Sequence, residues 1–124
     1  MGIAVYPHEI RVHAYAKQLL DNDPILAEIV QRLVRAFAPE RIYLFGSKAR
    51  ADAGTDSDYD LMVVVAHATE PGYRLAQRAH ALIWDIGTAV DILVWSREAF
   101  DARLHLRASL PATVVREGML LYAA

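Results

Sequence analysis

Cysteine is absent from the 124 residues, so neither disulfides nor thiolate metal ligands are available to this chain. Charge of one sign is not in excess either: 13 Lys and Arg face 15 Asp and Glu, a formal net charge of −2. A broad nucleic-acid footprint normally needs a basic surplus, so direct nucleic-acid binding is not expected. No apolar run approaches the length of a bilayer span, and no membrane contact is expected. The opening MGIAVYPHEI has no basic n-region and no long apolar stretch, which predicts no signal peptide. Tyr6 stands where a myristoylation signal needs Ser or Thr. The five histidines (His8, His13, His67, His80 and His105) share no metal-ligand spacing and read as surface or packing residues. Repeats, low-complexity tracts and long linkers are missing too. What is present is 55% hydrophobic and 23% charged, a balance that suits one globular domain with a real core. The expectation is a soluble, cytoplasmic, single domain over residues 1–124.

Periodicity places the elements. Ile10 to Leu20 is helix-like, and the DNDP stretch ends it. Asp23 then suits an N-cap, with Pro24 at the first helical position. Leu26, Ile29, Val30, Leu33, Val34 and Phe37 follow at three- and four-residue spacing, which predicts an amphipathic helix stopped by Pro39. RIYLF is a β-rich run ended by Gly46, and DYDLMVVV is a second strand whose Leu61 to Val65 read as buried on both faces. Pro71 to Trp84 is a helix carrying Leu75, Ala76, Ala79, Leu82 and Ile83, and AVDILVW is a third strand. Ser96 caps a short helix over Glu98 to Arg103, with further helix around Arg107 to Arg116. Gly118 turns into a last strand, MLLY. Trp84 and Trp95 lie in apolar runs and read as core. The fold class is α/β in the broad sense (α+β), a small mixed β-sheet flanked by helices. Its core spans 41–95, with N-terminal helices over 7–38 and C-terminal helices over 96–117.

The segment RIYLFGSKARADAGTDSDYDLMVVV concentrates the chemistry. Asp58 and Asp60 are two apart on a strand, so their side chains leave from one face. A helical crossover makes the strands that begin near Asp58 and Asp91 parallel neighbours, which puts these acids at one edge of the sheet. The Gly46-Ser47 turn, ending an antiparallel neighbour, reaches the same edge. Carboxylates gathered at a few ångströms repel strongly, and a divalent cation resolves the repulsion. All-oxygen ligation with room for water and phosphate points to Mg²⁺ or Mn²⁺. Alone, Asp58 and Asp60 would read as a solvated turn, as Asp56 and Ser57 do. The spacing to the Gly-Ser pair and the third acid is what lifts them above that.

Gly46, Ser47, ten residues, Asp58, one residue and Asp60 read GSx10DxD, with Asp91 on the next strand. This resembles the nucleotidyltransferase superfamily that includes DNA polymerase beta. GSKARADAGTDSDYDL also resembles the fuller GSxARG…SDxDL pattern of its small bacterial members, with Ala51 where that pattern carries Gly. The likeness covers Ile42 to about Val94 and is nearest to the minimal nucleotidyltransferases that act as antitoxins beside HEPN ribonuclease toxins. The resemblance implies a palm-like fold, ATP as substrate and two Mg²⁺ ions held by Asp58, Asp60 and Asp91, with Asp91 helping to remove the acceptor's proton. It further implies that Gly46 and Ser47 receive the triphosphate. Lys48 and Arg50 are candidates for neutralising phosphate charge, Arg50 through a bidentate grip and Lys48 with a solvated surface position as its alternative.

Three function classes follow. The first moves AMP from ATP to a side chain of a HEPN-type toxin encoded nearby, within a hetero-oligomer. The second modifies a small molecule, as antibiotic nucleotidyltransferases do; those carry a substantial second domain, whereas only some thirty residues follow the third strand here. The third caps a toxin without chemistry, which the presence of all three acids disfavours. Arg97, Arg103, Arg107 and Arg116 either face a partner or form solvated helix faces.

Overall fold

The computed structural model describes residues 16–50 and 58–124. Ala51, Asp56 and Ser57 therefore lie outside the described residues, as does the helix expected from Ile10 up to residue 15. Residues 16–22 are helical (α1). Helix α2 covers Pro24–Phe37, capped as its sequence predicts: Asp23 Oδ1 accepts from the Leu26 amide at 3.1 Å and Pro24 opens the first turn. Its stripe Leu26, Ile29, Val30 and Leu33 is buried. The helix stops at Ala38, which takes a left-handed φ of 45° while its amide still bonds the Val34 carbonyl, and Pro39 prevents continuation.

Strand β1 (Arg41–Phe45) leads into a single helical turn, α3 (Ser47–Arg50). Then come β2 (Tyr59–Val65), α4 (Gly72–Ile83), a 3₁₀ turn (Trp84–Ile86), β3 (Val90–Ser96), α5 (Arg97–Asp101), α6 (Leu110–Glu117) and β4 (Met119–Ala123). The four strands lie in the order β3-β2-β1-β4. β2 and β3 are parallel, as a helical crossover requires, and β1 is antiparallel to both β2 and β4. β2 is central, and its residues Leu61 to Val65 are buried throughout.

Strand alternation sorts the core into two layers. On one face Leu61, Val63 and Val65 meet Ile42, Leu44, Ile92 and Val94 beneath α2 and α4. On the other, Met62, Val64 and Tyr43 pack with Phe100 of α5 and Val114 of α6. Two expectations need correction. Trp84 is not core: it is 86% exposed, because α4 ends at Ile83 and the 3₁₀ turn swings the indole outward. Leu82, in the last turn of α4, is 38% exposed. The last helix begins at Leu110 rather than near Arg107, since Ser109 caps it through the Ala112 amide and a proline sits in its first turn. Trp95 is half-buried, with the Arg103 guanidinium 5.5 Å from its ring centroid.

Candidate functional site

The site is built by strand register. Phe45, the last residue of β1, lies opposite Asp60, and Asp60 lies opposite Asp91 of β3. Paired residues on adjacent strands project to one face. Leu93 and Phe45 belong to the α5/α6 side of the sheet, so Asp60 and Asp91 share that side at the end where β2 and β3 begin. Asp58, two residues ahead of Asp60, and Asp91 are both exposed, while Asp60 is half-buried. The expected edge is therefore present: two acids of neighbouring strands face each other, with a third one strand repeat away.

Gly46 explains how the turn reaches this edge. Its φ of 74° is left-handed, and a Cβ there would overlap Asp60 Oδ2 and come within 3.2 Å of its Cγ. Only glycine lets the backbone bend this way while lying against a carboxylate. Ser47 follows as the first residue of α3 and is half-buried. Arg50 closes α3, and its side chain lies outside the described part of the structure.

Lys48 is half-buried rather than fully solvated. Its Nζ stands 4.4 Å from the centroid of the Tyr59 ring, and that ring belongs to the opposite, α2/α4 layer. Tyr59 itself is 6% exposed and donates its hydroxyl to Asp23 Oδ2 at 2.7 Å. Burial first, then this bond to a carboxylate, push its phenol up to about 12. Neither role was visible in the sequence, where Asp23 read only as a helix cap. The one available signal was a tyrosine between two acids, which alternation sends to the other face.

The approach to Asp91 is also braced. His80 spans the Ala76 carbonyl (2.8 Å) and the Val90 carbonyl (3.2 Å), tying α4 to β3 one residue before Asp91. Arg32 of α2 bonds Glu28, the Leu82 carbonyl and both oxygens of Asp85, which holds the 3₁₀ turn in place. The Arg32 guanidinium holds the Asp85 carboxyl below its ordinary range. Of the arginines considered for a partner, Arg97 pairs with Glu40 at 2.8 Å and Arg116 bonds the Arg107 carbonyl at 3.3 Å.

Among the described residues, no three His, Asp or Glu side chains form a ready metal cage. The donor set nonetheless fits Mg²⁺, which takes one or two carboxylates and completes its shell with water and phosphate. No described helix is long and apolar enough to cross a membrane.

The polymerase beta nucleotidyltransferase family matches residues 27–123, a wider span than the motif segment. The chain belongs to this family, and its four-stranded mixed sheet with flanking helices is the fold of that class. No curated protein matches it. Among solved structures it is similar to a Sulfolobus solfataricus protein assigned to the nucleotidyltransferases, at 20% identity and a TM-score of 0.54 over 98% of this chain and 93% of that one. A toxin–antitoxin complex with AMP-PNP contains a chain 25% identical, with a TM-score of 0.50 over 78% of this chain and 73% of that one. A mutant of an MntA toxin–antitoxin pair is 24% identical, with a TM-score of 0.51 over 79% and 72%.

Proposed function

We propose that the chain is a Mg²⁺-dependent nucleotidyltransferase that moves AMP from ATP to a tyrosine hydroxyl of a partner HEPN ribonuclease toxin and thereby neutralises it. The observation that carries this reading is the register that sets Asp60 opposite Asp91 and against Gly46 of the Gly-Ser turn. Asp58, Asp60 and Asp91 would hold the metal. When bound, it supplies neutralising charge for a triphosphate and lowers the pKa of an acceptor hydroxyl.

The chain's own residues divide the remaining work. Gly46 lets the backbone approach the phosphates, and the Ser47 hydroxyl donates to a phosphate oxygen. Asp91, exposed at the start of β3, takes the acceptor's proton. The phenolic oxygen bonds the α-phosphorus while the bridging bond to the β-phosphate breaks, and pyrophosphate leaves with that electron pair. A phenol of pKa ~10 is within reach of a carboxylate base beside a metal. Most of the rate comes from positioning and fixed charge. Support for a nucleotide and a toxin partner comes from the AMP-PNP-bound toxin–antitoxin complex. AMP on the toxin adds negative charge where RNA phosphate would bind, which opposes RNA by repulsion.

The test is co-purification with the product of the neighbouring gene, followed by intact mass of the partner after incubation with ATP and Mg²⁺. One or more added AMP groups are expected, lost with EDTA and in Asp60→Asn. Undiminished neutralisation by Asp58→Ala/Asp60→Ala, with no mass added to the partner, would overturn transfer in favour of simple capping.

A further inference from the structure

We infer that Tyr59 is a positioning residue for nucleotide binding: it fixes Lys48, and with it the Gly-Ser turn and α3, against the paired acids Asp58 and Asp60. The inference rests on the nucleotidyl-transfer reading and assigns a role to the residue at the variable position of the DxD pair.

Tyr59 is flanked by the two acids, yet its side chain points to the opposite layer. The next three residues on that face, Leu61, Val63 and Val65, are aliphatic, so packing alone does not call for a phenol. Three contacts radiate from this one residue. Its hydroxyl donates to Asp23 Oδ2 at 2.7 Å, and the other oxygen of Asp23 caps α2 through the Leu26 amide. Its ring face carries the Lys48 ammonium at 4.4 Å. Its amide donates to the Ala89 carbonyl at 3.1 Å, two residues before Asp91. A continuous chain therefore runs from the α2 cap through Asp23, Tyr59 and Lys48 to α3, and a branch reaches the start of β3. On this inference Lys48 steadies α3 through its seat on the ring, so its effect on ATP passes through Tyr59.

A double-mutant cycle separates this from a plain core tyrosine. Mg²⁺–ATP binding is measured by calorimetry, with AMP-transfer kinetics and thermal melts, for wild type, Tyr59→Phe, Tyr59→Leu, Lys48→Met and Tyr59→Leu/Lys48→Met. Tyr59→Leu and Lys48→Met are each expected to weaken ATP binding about fivefold, with the double variant no worse than either. KM for ATP should rise in step while kcat at saturating ATP stays within about twofold, since uniform binding is lost. Tyr59→Phe keeps the ring and the core volume, so it covers the case in which Tyr59→Leu does not fold; an affinity loss of about threefold is expected from the missing hydroxyl. Multiplying effects in the double variant overturn the inference alone, as does unchanged ATP affinity in Tyr59→Phe. If wild type binds no more ATP than Asp60→Asn does, the nucleotidyl-transfer reading falls and the inference with it.

Discussion

Gly46 and Gly87 form a matched pair for testing what the Gly-Ser turn contributes. Both are left-handed, with φ of 74° and 75°, so alanine at either position meets the same backbone strain. That strain costs roughly 1–2 kcal/mol for a non-glycine residue. The surroundings differ: a Cβ at Gly87 meets nothing within 4 Å, whereas one at Gly46 overlaps Asp60 Oδ2. Gly46→Ala must therefore also displace the Asp60 carboxylate or the turn itself. For a chain of this size, ~1–2 kcal/mol lowers Tm by about 4–8 °C, and both variants should show at least that drop. Only Gly46→Ala should lose function, with AMP transfer reduced at least about a hundredfold, since a misplacement near 1 Å costs on that order. The assays are a thermal melt followed by transfer kinetics well below Tm. Equal loss of activity in the two variants, or a Gly46→Ala protein as active as Gly87→Ala, would refute the claim that glycine is there to admit Asp60.

Ala38→Gly should stabilise the protein by about 1 kcal/mol, because a left-handed φ of 45° closes α2 on a residue with a Cβ; calorimetric melting checks this. The lowered Asp85 pKa means that the folded state binds this proton less readily than the unfolded state. The Asp85–Arg32 pair thus stabilises above the ordinary carboxylate pKa, and that contribution fades as pH falls through the folded value; Asp85→Asn should flatten the acid limb of the Tm–pH curve. Trp84→Gln should change stability by no more than about 0.5 kcal/mol in denaturant unfolding, because the indole is 86% exposed.

Periodicity and punctuation carried most of the fold. α2 was legible because a cap, a proline and an apolar stripe agree, and the parallel β2/β3 pair because a helix separates two apolar runs. The acid edge was legible because alternation and crossover geometry leave few places for Asp60 and Asp91. Trp84 was misread because neighbouring apolarity does not say where a helix ends, and the 3₁₀ turn changed its direction. The start of α6 was missed although Ser109 and the following proline signalled it. Lys48 was read as a phosphate ligand or a surface lysine, and its seat on Tyr59 depends on a strand partner that spacing does not reveal. The Tyr59–Asp23 bond joins residues 36 apart in sequence, and no local pattern encodes such a contact.

Nucleotidyl transfer at the Asp60–Asp91 edge is tested most directly by following the two ends of ATP separately. The complex with its partner is incubated with Mg²⁺ and ATP labelled at either the α- or the γ-phosphate. Label from the α-position should become covalently attached to the partner, label from the γ-position should leave in pyrophosphate, and both outcomes should vanish in Asp60→Asn. Attachment of the γ-label, or α-label incorporation that is undiminished in Asp60→Asn, would contradict the assignment of this edge as the site of AMP transfer.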